Sequence, residues 1–262
     1  MDLNLKGKRA LVCGSTQGIG MAAAMELANL GASITLLARN QEALEEVKDE
    51  LFAGAGQNHE ILIADFAKPE NLRKVLADHI NIENPYHILI NNTGGPPGGL
   101  AIDAEIEAFR IAFNQHLVCN HILAQAVVEG MKKDGFGRII NVISTSVKIP
   151  INGLGVSNTI RGAVGNWSKT LANELGQFGI TVNNVLPGAT ATQRLSSIIE
   201  NKAKKSGKTA DEVEMEMKNE VPARRFADPS EVAAAIAFLA SPAAGYINGI
   251  NIPVDGGRTG NL

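Results

Sequence analysis

The chain has 262 residues, 45% hydrophobic and 19% charged, with a formal net charge of -3. That is the balance of a folded chain forming one large domain or two small ones, and it gives no reason to expect nucleic acid as a partner. The two cysteines, Cys13 and Cys119, form neither a disulfide framework nor a metal-binding pattern, so no metal is expected and a reducing, cytoplasmic setting is. Residues 1–8 carry no apolar signal region and no run approaches a membrane span, so no membrane association is expected either.

Strand-like and helix-like patterns alternate along the whole chain. A short apolar run at residues 9–13 suits a buried strand and leads into Gly14-Ser15-Thr16-Gln17-Gly18-Ile19-Gly20; residues 21–30 then have helix-forming composition and stop at Gly31. Residues 33–38 read as the second strand and 41–53 as a charged amphipathic helix. A third strand at 61–64 and a helix at 69–79 follow. The fourth strand, 87–90, runs into the polar turn Asn91-Asn92-Thr93-Gly94-Gly95. Phe109, Phe113, Leu117, Leu123 and Val127 stand at helical spacing and predict one long helix. Residues 138–143 are a fifth strand, 156–178 a second long helix closed by Gly179, and 180–186 a sixth strand. Asp228-Pro229-Ser230-Glu231 starts a helix with an N-cap, a proline at the first helical position and an acid in the first turn. Residues 250–254 supply a last short strand.

Strands separated by helices pair in parallel through right-handed crossovers. The expected fold is therefore α/β: a single-domain, Rossmann-like, doubly wound parallel sheet of about seven strands with helices on both faces. One domain over 1–262 is expected, with a charge-dense excursion at about 190–226. That excursion reads either as a solvated helical insertion or as a lid over a small-molecule substrate. Ligands of such sheets lie at the carboxyl ends of the strands, near the point where strand order reverses. Those ends carry the Gly14–Gly20 turn, Arg39, Asp65, the Asn91–Gly95 turn, Ser144 and Pro187-Gly188.

The glycine turn has a physical reading of its own. Gly14 allows a tight turn, Gly18 lets backbone approach a pyrophosphate, and Gly20 lets helix and strand pack closely. The free N–H groups and positive dipole end of the new helix then face the phosphates. At the end of the second strand, a site for NAD wants a carboxylate to accept bonds from the adenosine ribose hydroxyls. Here that place reads Ala38-Arg39-Asn40, with no acid before Glu42. The planar, permanently charged guanidinium of Arg39 suits the 2′-phosphate of NADP, with the Ser15 hydroxyl beside it. NADP(H) is therefore expected in preference to NAD(H).

Over nearly its full length the sequence resembles the short-chain dehydrogenase/reductase family. The resemblance rests on Gly14 to Gly20, Asp65, Asn91-Asn92-Thr93-Gly94, Ser144, Pro187-Gly188 with Thr192, and residues 248–257. It implies a cofactor-binding oxidoreductase acting on a carbonyl or alcohol, assembled as a homotetramer or homodimer. It also implies a cofactor site drawn from Gly14, Ser15, Gln17, Gly18, Ile19 and Gly20. Asp65 would meet the adenine, Asn91 and Gly94 the adenosine ribose, and Pro187, Gly188, Thr190 and Thr192 the nicotinamide end. The family's chemistry uses a serine, a tyrosine, a lysine four residues after it and an asparagine in the preceding long helix. Ser144 keeps the serine's place, while Ser157 stands at the tyrosine position, Arg161 at the lysine position and His116 at the asparagine position.

An aliphatic hydroxyl is a far weaker acid than a phenol of pKa about 10. Arg161 can still hydrogen-bond the nicotinamide ribose and supply positive charge. His116, with an ordinary pKa of about 6.5, suits proton transfer at neutral pH, although a core histidine bonded to a backbone carbonyl fits the same pattern. Two readings follow: an NADP(H)-dependent oxidoreductase with an altered proton path, or an NADP(H)-binding protein without turnover, such as a sensor or supporting subunit. A non-redox reaction on the same scaffold is a third.

Overall fold

A computed structural model describes residues 1–54 and 56–260. The first half runs β1 (Arg9–Cys13), α1 (Gly18–Asn29), β2 (Ser33–Ala38), α2 (Gln41–Glu50), β3 (Glu60–Ile63), α3 (Pro69–His79) and β4 (Ile88–Asn91). The second half holds α4 (Ile106–Phe113), α5 (Cys119–Asp134), β5 (Gly137–Val142), α6 (Gly155–Leu175) and β6 (Ile180–Pro187). It ends with α7 (Gln193–Ser206), α8 (Ala210–Asn219), α9 (Pro229–Ala240) and β7 (Asn251–Val254). The strands form one seven-stranded sheet in the order β3-β2-β1-β4-β5-β6-β7. Every pairing is parallel.

A parallel sheet covered on both faces needs apolar side chains at successive positions, and the strands supply them. Ala10 and Val12 of β1, Ile34 and Leu36 of β2, and Ile88 and Ile90 of β4 pack into one layer with α1, α2 and α9. Leu11, Cys13, Leu37 and Leu89 point the other way and pack with α3, α5 and α6. The order reverses between β1 and β4, so the Gly14 turn and the Asn91–Gly95 turn open side by side at one crevice.

The second layer of the site side is stitched by a ladder of asparagines. Asn91 Nδ2 donates to Asn141 Oδ1 at 2.8 Å, and Asn141 Nδ2 donates to Asn184 Oδ1 at 2.9 Å and to Ser168 Oγ at 3.2 Å. Asn184 Nδ2 in turn donates to Asn251 Oδ1 at 2.8 Å. Parallel register makes this possible, because Asn91, Asn141, Asn184 and Asn251 are partners across β4, β5, β6 and β7. Buried amides bonded in series rigidify the sheet just before the loops that carry the site, with Asn91 Oδ1 alone among the buried amide atoms of the ladder left without a partner.

One expectation is corrected here. The long helix after the Asn91–Gly95 turn is α4, then a π-turn at Asn114–Val118, then α5. A π-turn inserts an extra residue into the helical repeat, so the apolar stripe shifts phase: Phe113 is 42% exposed, while Ala112 and His116 are buried. The charged excursion is a pair of helices, α7 and α8, with a small core of Leu195, Ile199, Ala203 and Val213. Its base is pinned where Ala191 N donates to Ala227 O and Ala227 N donates to Ala189 O.

Candidate functional site

At the crevice, backbone dominates one half. Gly14 and Gly18 have φ of +59° and +55°, conformations that suit glycine. A Cβ on Gly20 would stand 2.1 Å from Gly14 O and one on Gly14 would stand 2.8 Å from Asn92 O, so neither position has room for a side chain. The turn is held from across the switch point, where Asn92 Nδ2 donates to Gly14 O at 3.1 Å and to Cys13 O at 3.3 Å. Helix α1 begins at Gly18 with no side-chain cap and no acid in its first turn. Its first N–H groups therefore await an acceptor, and an anion is the acceptor that a helix N-terminus favours. Arg39 is exposed at the end of β2, and Asp65, half-buried at the end of β3, accepts from Ala67 N at 2.9 Å. A cradle closed to any Cβ, an uncapped helix start and an arginine with no acid before Glu42 together fit a dinucleotide carrying a 2′-phosphate.

Two of the residues expected to line that half are turned elsewhere. Ser15 is fully buried and its Oγ has no partner, so its hydroxyl is not presented beside Arg39. Asn91 is 2% exposed, with Nδ2 bonded to Asn141 and Oδ1 buried without a partner, so its side chain is not offered to a ribose. Gln17 is exposed at the cap of α1, Ile19 packs against the α1 layer, and Gly94 is exposed. The turn after β6 closes over this half. A Cβ on Gly188 would stand 2.7 Å from Asp255 Cα, Thr190 is buried, and Thr192 caps α7 by accepting from Leu195 N. The Thr192 methyl approaches Gly18, its Cγ2 lying 3.1 Å from where a Cβ would be.

Side chains build the other half. Ser144 follows β5, half-buried, and its Oγ accepts from Ser146 N at 3.1 Å, capping a short 3-10 turn at Thr145–Val147. Arg161 reaches from α6 to donate through Nη1 to Val142 O at 2.9 Å, two residues before Ser144. Arg161 is buried, which pushes its guanidinium down to about 10, with Arg194 adding to the shift. Ser157 sits half-buried one turn earlier on α6. His116 lies in the π-turn, 2% exposed, with Nε2 unpartnered. Burial, then the charge of Arg161, pushes it down to about 3, while the Gly94 backbone pulls the other way. The expected proton-transfer range near pH 6.5 is thereby corrected: at neutral pH this imidazole is neutral.

Neither of the two tyrosines lies on α6. Tyr86 is buried, with its hydroxyl shared among Thr35, His79 and Arg9, and Tyr246 is fully exposed in the C-terminal turn. Two residues of the site escaped sequence reasoning. Asn92 was legible only as part of a polar turn, although its neighbour's partner in β5 is also an asparagine. Arg194, on the first turn of α7, donates through Nη2 to Pro96 O at 2.7 Å and so ties the charged excursion to the Gly95-Pro96-Pro97 loop.

A family model described as enoyl-(acyl carrier protein) reductase matches residues 14–259. The chain is 32% identical over 251 residues to the NADPH-dependent reductase BacG of Bacillus subtilis, covering 95% of this chain and 97% of that one. It is 33% identical over 255 residues to the 3-oxoacyl-[acyl-carrier-protein] reductase FabG of Vibrio cholerae, covering 97% and 98%. The L-sorbose reductase of Gluconobacter frateurii, solved with NADPH and L-sorbose, superimposes with a TM-score of 0.92 at 31% identity over 100% of both chains. Matches of this extent, on a sheet of this order with its glycine turn at the switch point, establish that the chain belongs to the short-chain dehydrogenase/reductase family.

Proposed function

We propose that the protein is an NADP(H)-dependent oxidoreductase that interconverts a carbonyl and an alcohol with an altered set of catalytic side chains. The observation that carries the reading is the pairing, at one crevice, of an uncapped glycine-lined helix start and Arg39 with Ser144 at the end of β5. Gly14, Gly18 and Gly20 would seat the pyrophosphate, Arg39 the 2′-phosphate, Asp65 the adenine, and Pro187 to Thr192 the nicotinamide end. The NADPH dependence of BacG and the NADPH in the L-sorbose reductase structure support that preference. The bound nicotinamide supplies the hydride.

In this chain Ser144 donates a hydrogen bond to the substrate carbonyl. Arg161, held by the Val142 carbonyl, places a fixed positive charge where the oxygen becomes anionic, in a site dry enough for that charge to act strongly. Ser157 and neutral His116 flank Arg161 and carry the proton, His116 through a water or directly. Helices α7 and α8 act as a lid over the substrate. Exposed Ile111 and Phe113, beside a groove of about 520 Å³ lined by Phe109, Arg110, Phe113, Asn114 and Ile160, and exposed Tyr246 support assembly as a homotetramer or homodimer. Both cysteines are free and buried, in keeping with a cytoplasmic setting. Among the described residues no helix is long and apolar enough to cross a membrane.

The test is a titration with NADPH and NADH followed by a turnover screen against carbonyl compounds. NADPH should bind and be oxidised, and His116→Asn should lower turnover by roughly 10²–10⁴ with little change in NADPH affinity. NADPH binding without turnover of any carbonyl or alcohol would favour the cofactor-binding protein without redox activity.

A further inference from the structure

Arg161 and Arg194 converge on one point. Their Nη2 atoms lie 3.7 Å and 3.6 Å from the place a Cβ on Gly95 would occupy. Each is anchored by a carbonyl, Val142 O for Arg161 and Pro96 O for Arg194. Among the described residues neither takes part in an ion pair. Buried charge is ordinarily paired, because leaving it alone in a dry site is costly. Arg161 is buried, and the charged group acting on it is a second cation. Next to the pair, the buried Nε2 of His116 has no partner, and His116 responds to both Arg161 and the Gly94 backbone. Two convergent guanidinium groups, with no acid between them, are complementary to an anion.

The position of the pair says whose anion. Helix α1 starts at Gly18, where it meets Thr192. Arg194, two residues later, turns instead towards Pro96, on the loop after β4. Arg161 is tied to β5 just before Ser144. The two cations therefore lie on the reactive side of the crevice, between the Gly95-Pro96 loop and α6. We propose that Arg161 and Arg194 hold a carboxylate carried by the substrate, so that the carbonyl compound this site takes is an oxo acid. This rests on the oxidoreductase reading above, and names the substrate class for the same site. The planar fork of arginine suits a carboxylate, and fixing that group orients the adjacent carbonyl towards Ser144.

Calorimetry on the full-length protein separates the claims. The protein saturated with NADP⁺ is titrated with pyruvate, 2-oxohexanoate and phenylpyruvate, and with the methyl ester of each. At least one acid should bind ten times more tightly than its ester or better. Arg194→Gln should weaken that acid by about tenfold to a hundredfold, the range for loss of a charge-assisted bond, and leave the ester unchanged. Arg194→Lys should recover part of the loss. NADPH affinity should stay within twofold in both variants. If no acid binds more tightly than its ester, the inference is overturned. A tenfold loss of NADPH affinity in Arg194→Gln would overturn it too, by making the anion a cofactor phosphate. An acid that binds in this Arg194-dependent way but is never reduced by NADPH leaves the carboxylate site standing and removes the redox reading.

Discussion

Asn141→Leu tests whether the asparagine ladder holds the site in place. Asn141 is fully buried in the middle of the sheet, and the substitution removes three hydrogen bonds at once: to Asn91, Asn184 and Ser168. Asn91 is the neighbour left worst off, because its Oδ1 is already without a partner and its Nδ2 would join it. Asn184 keeps its bond to Asn251, and the Ser168 hydroxyl loses its donor. An orphaned buried polar group costs about 1–3 kcal/mol, and two or three of them outweigh the roughly 2 kcal/mol that burying a leucine side chain returns. The net expectation is a loss of about 3–5 kcal/mol, a large share of the roughly 5–15 kcal/mol typical of a native protein. Urea denaturation followed by circular dichroism, at fixed protein concentration because assembly adds to stability, measures it. Asn251→Ala, at the exposed end of the ladder, is the internal comparison: it leaves only Asn184 Nδ2 without its partner and should cost about 1–2 kcal/mol. If Asn141→Leu costs no more than Asn251→Ala, the ladder is not what stiffens β5 ahead of Ser144.

Arg39→Asp should narrow or reverse an NADPH preference of at least tenfold over NADH, since an arginine–phosphate bond contributes about 1.5–3 kcal/mol; equal affinities in the parent protein would refute the assignment of Arg39. His116, folded at about 3 against an unfolded value of about 6.5, binds its proton more readily in the unfolded chain, so stability is lost as pH falls below 6.5. Between pH 7 and pH 5 that loss should be about 2 kcal/mol, and His116→Asn should remove it from the pH dependence measured by denaturation. Light scattering should give two or four times the chain mass of 27.6 kDa, and the monomer mass at micromolar concentration would contradict the proposed assembly.

The half of the site made of backbone was legible in the sequence. A Gly14-Gly18-Gly20 spacing after an apolar run dictates its own geometry, because only glycine tolerates the positive φ and the absence of space. Strand positions followed for the same reason: continuous apolar runs of four to eight residues fit a sheet covered on both faces. Helix 69–79 and strands 9–13 and 33–38 coincide with α3, β1 and β2 to the residue. The phase of the helix carrying His116 was less legible. A 3.6-residue stripe through Phe109, Phe113 and Leu117 reads as a continuous helix, and the π-turn that breaks it leaves no composition of its own.

The half made of side chains was legible in identity but not in environment. The family resemblance put Ser144, Ser157 and Arg161 in one place, yet nothing in the sequence says that Arg161 is buried on a carbonyl or that a second arginine faces it across Gly95. Arg194 sits in a charge-dense segment whose composition matches any solvated helix, and only the Pro96 carbonyl distinguishes it from its neighbours. Burial of His116, with the charge of buried Arg161 adding to it, lowers the imidazole pKa to about 3. A proton path through His116 therefore has to run through a neutral imidazole, taking and returning a proton through its two nitrogens, rather than through an imidazolium stored before hydride transfer.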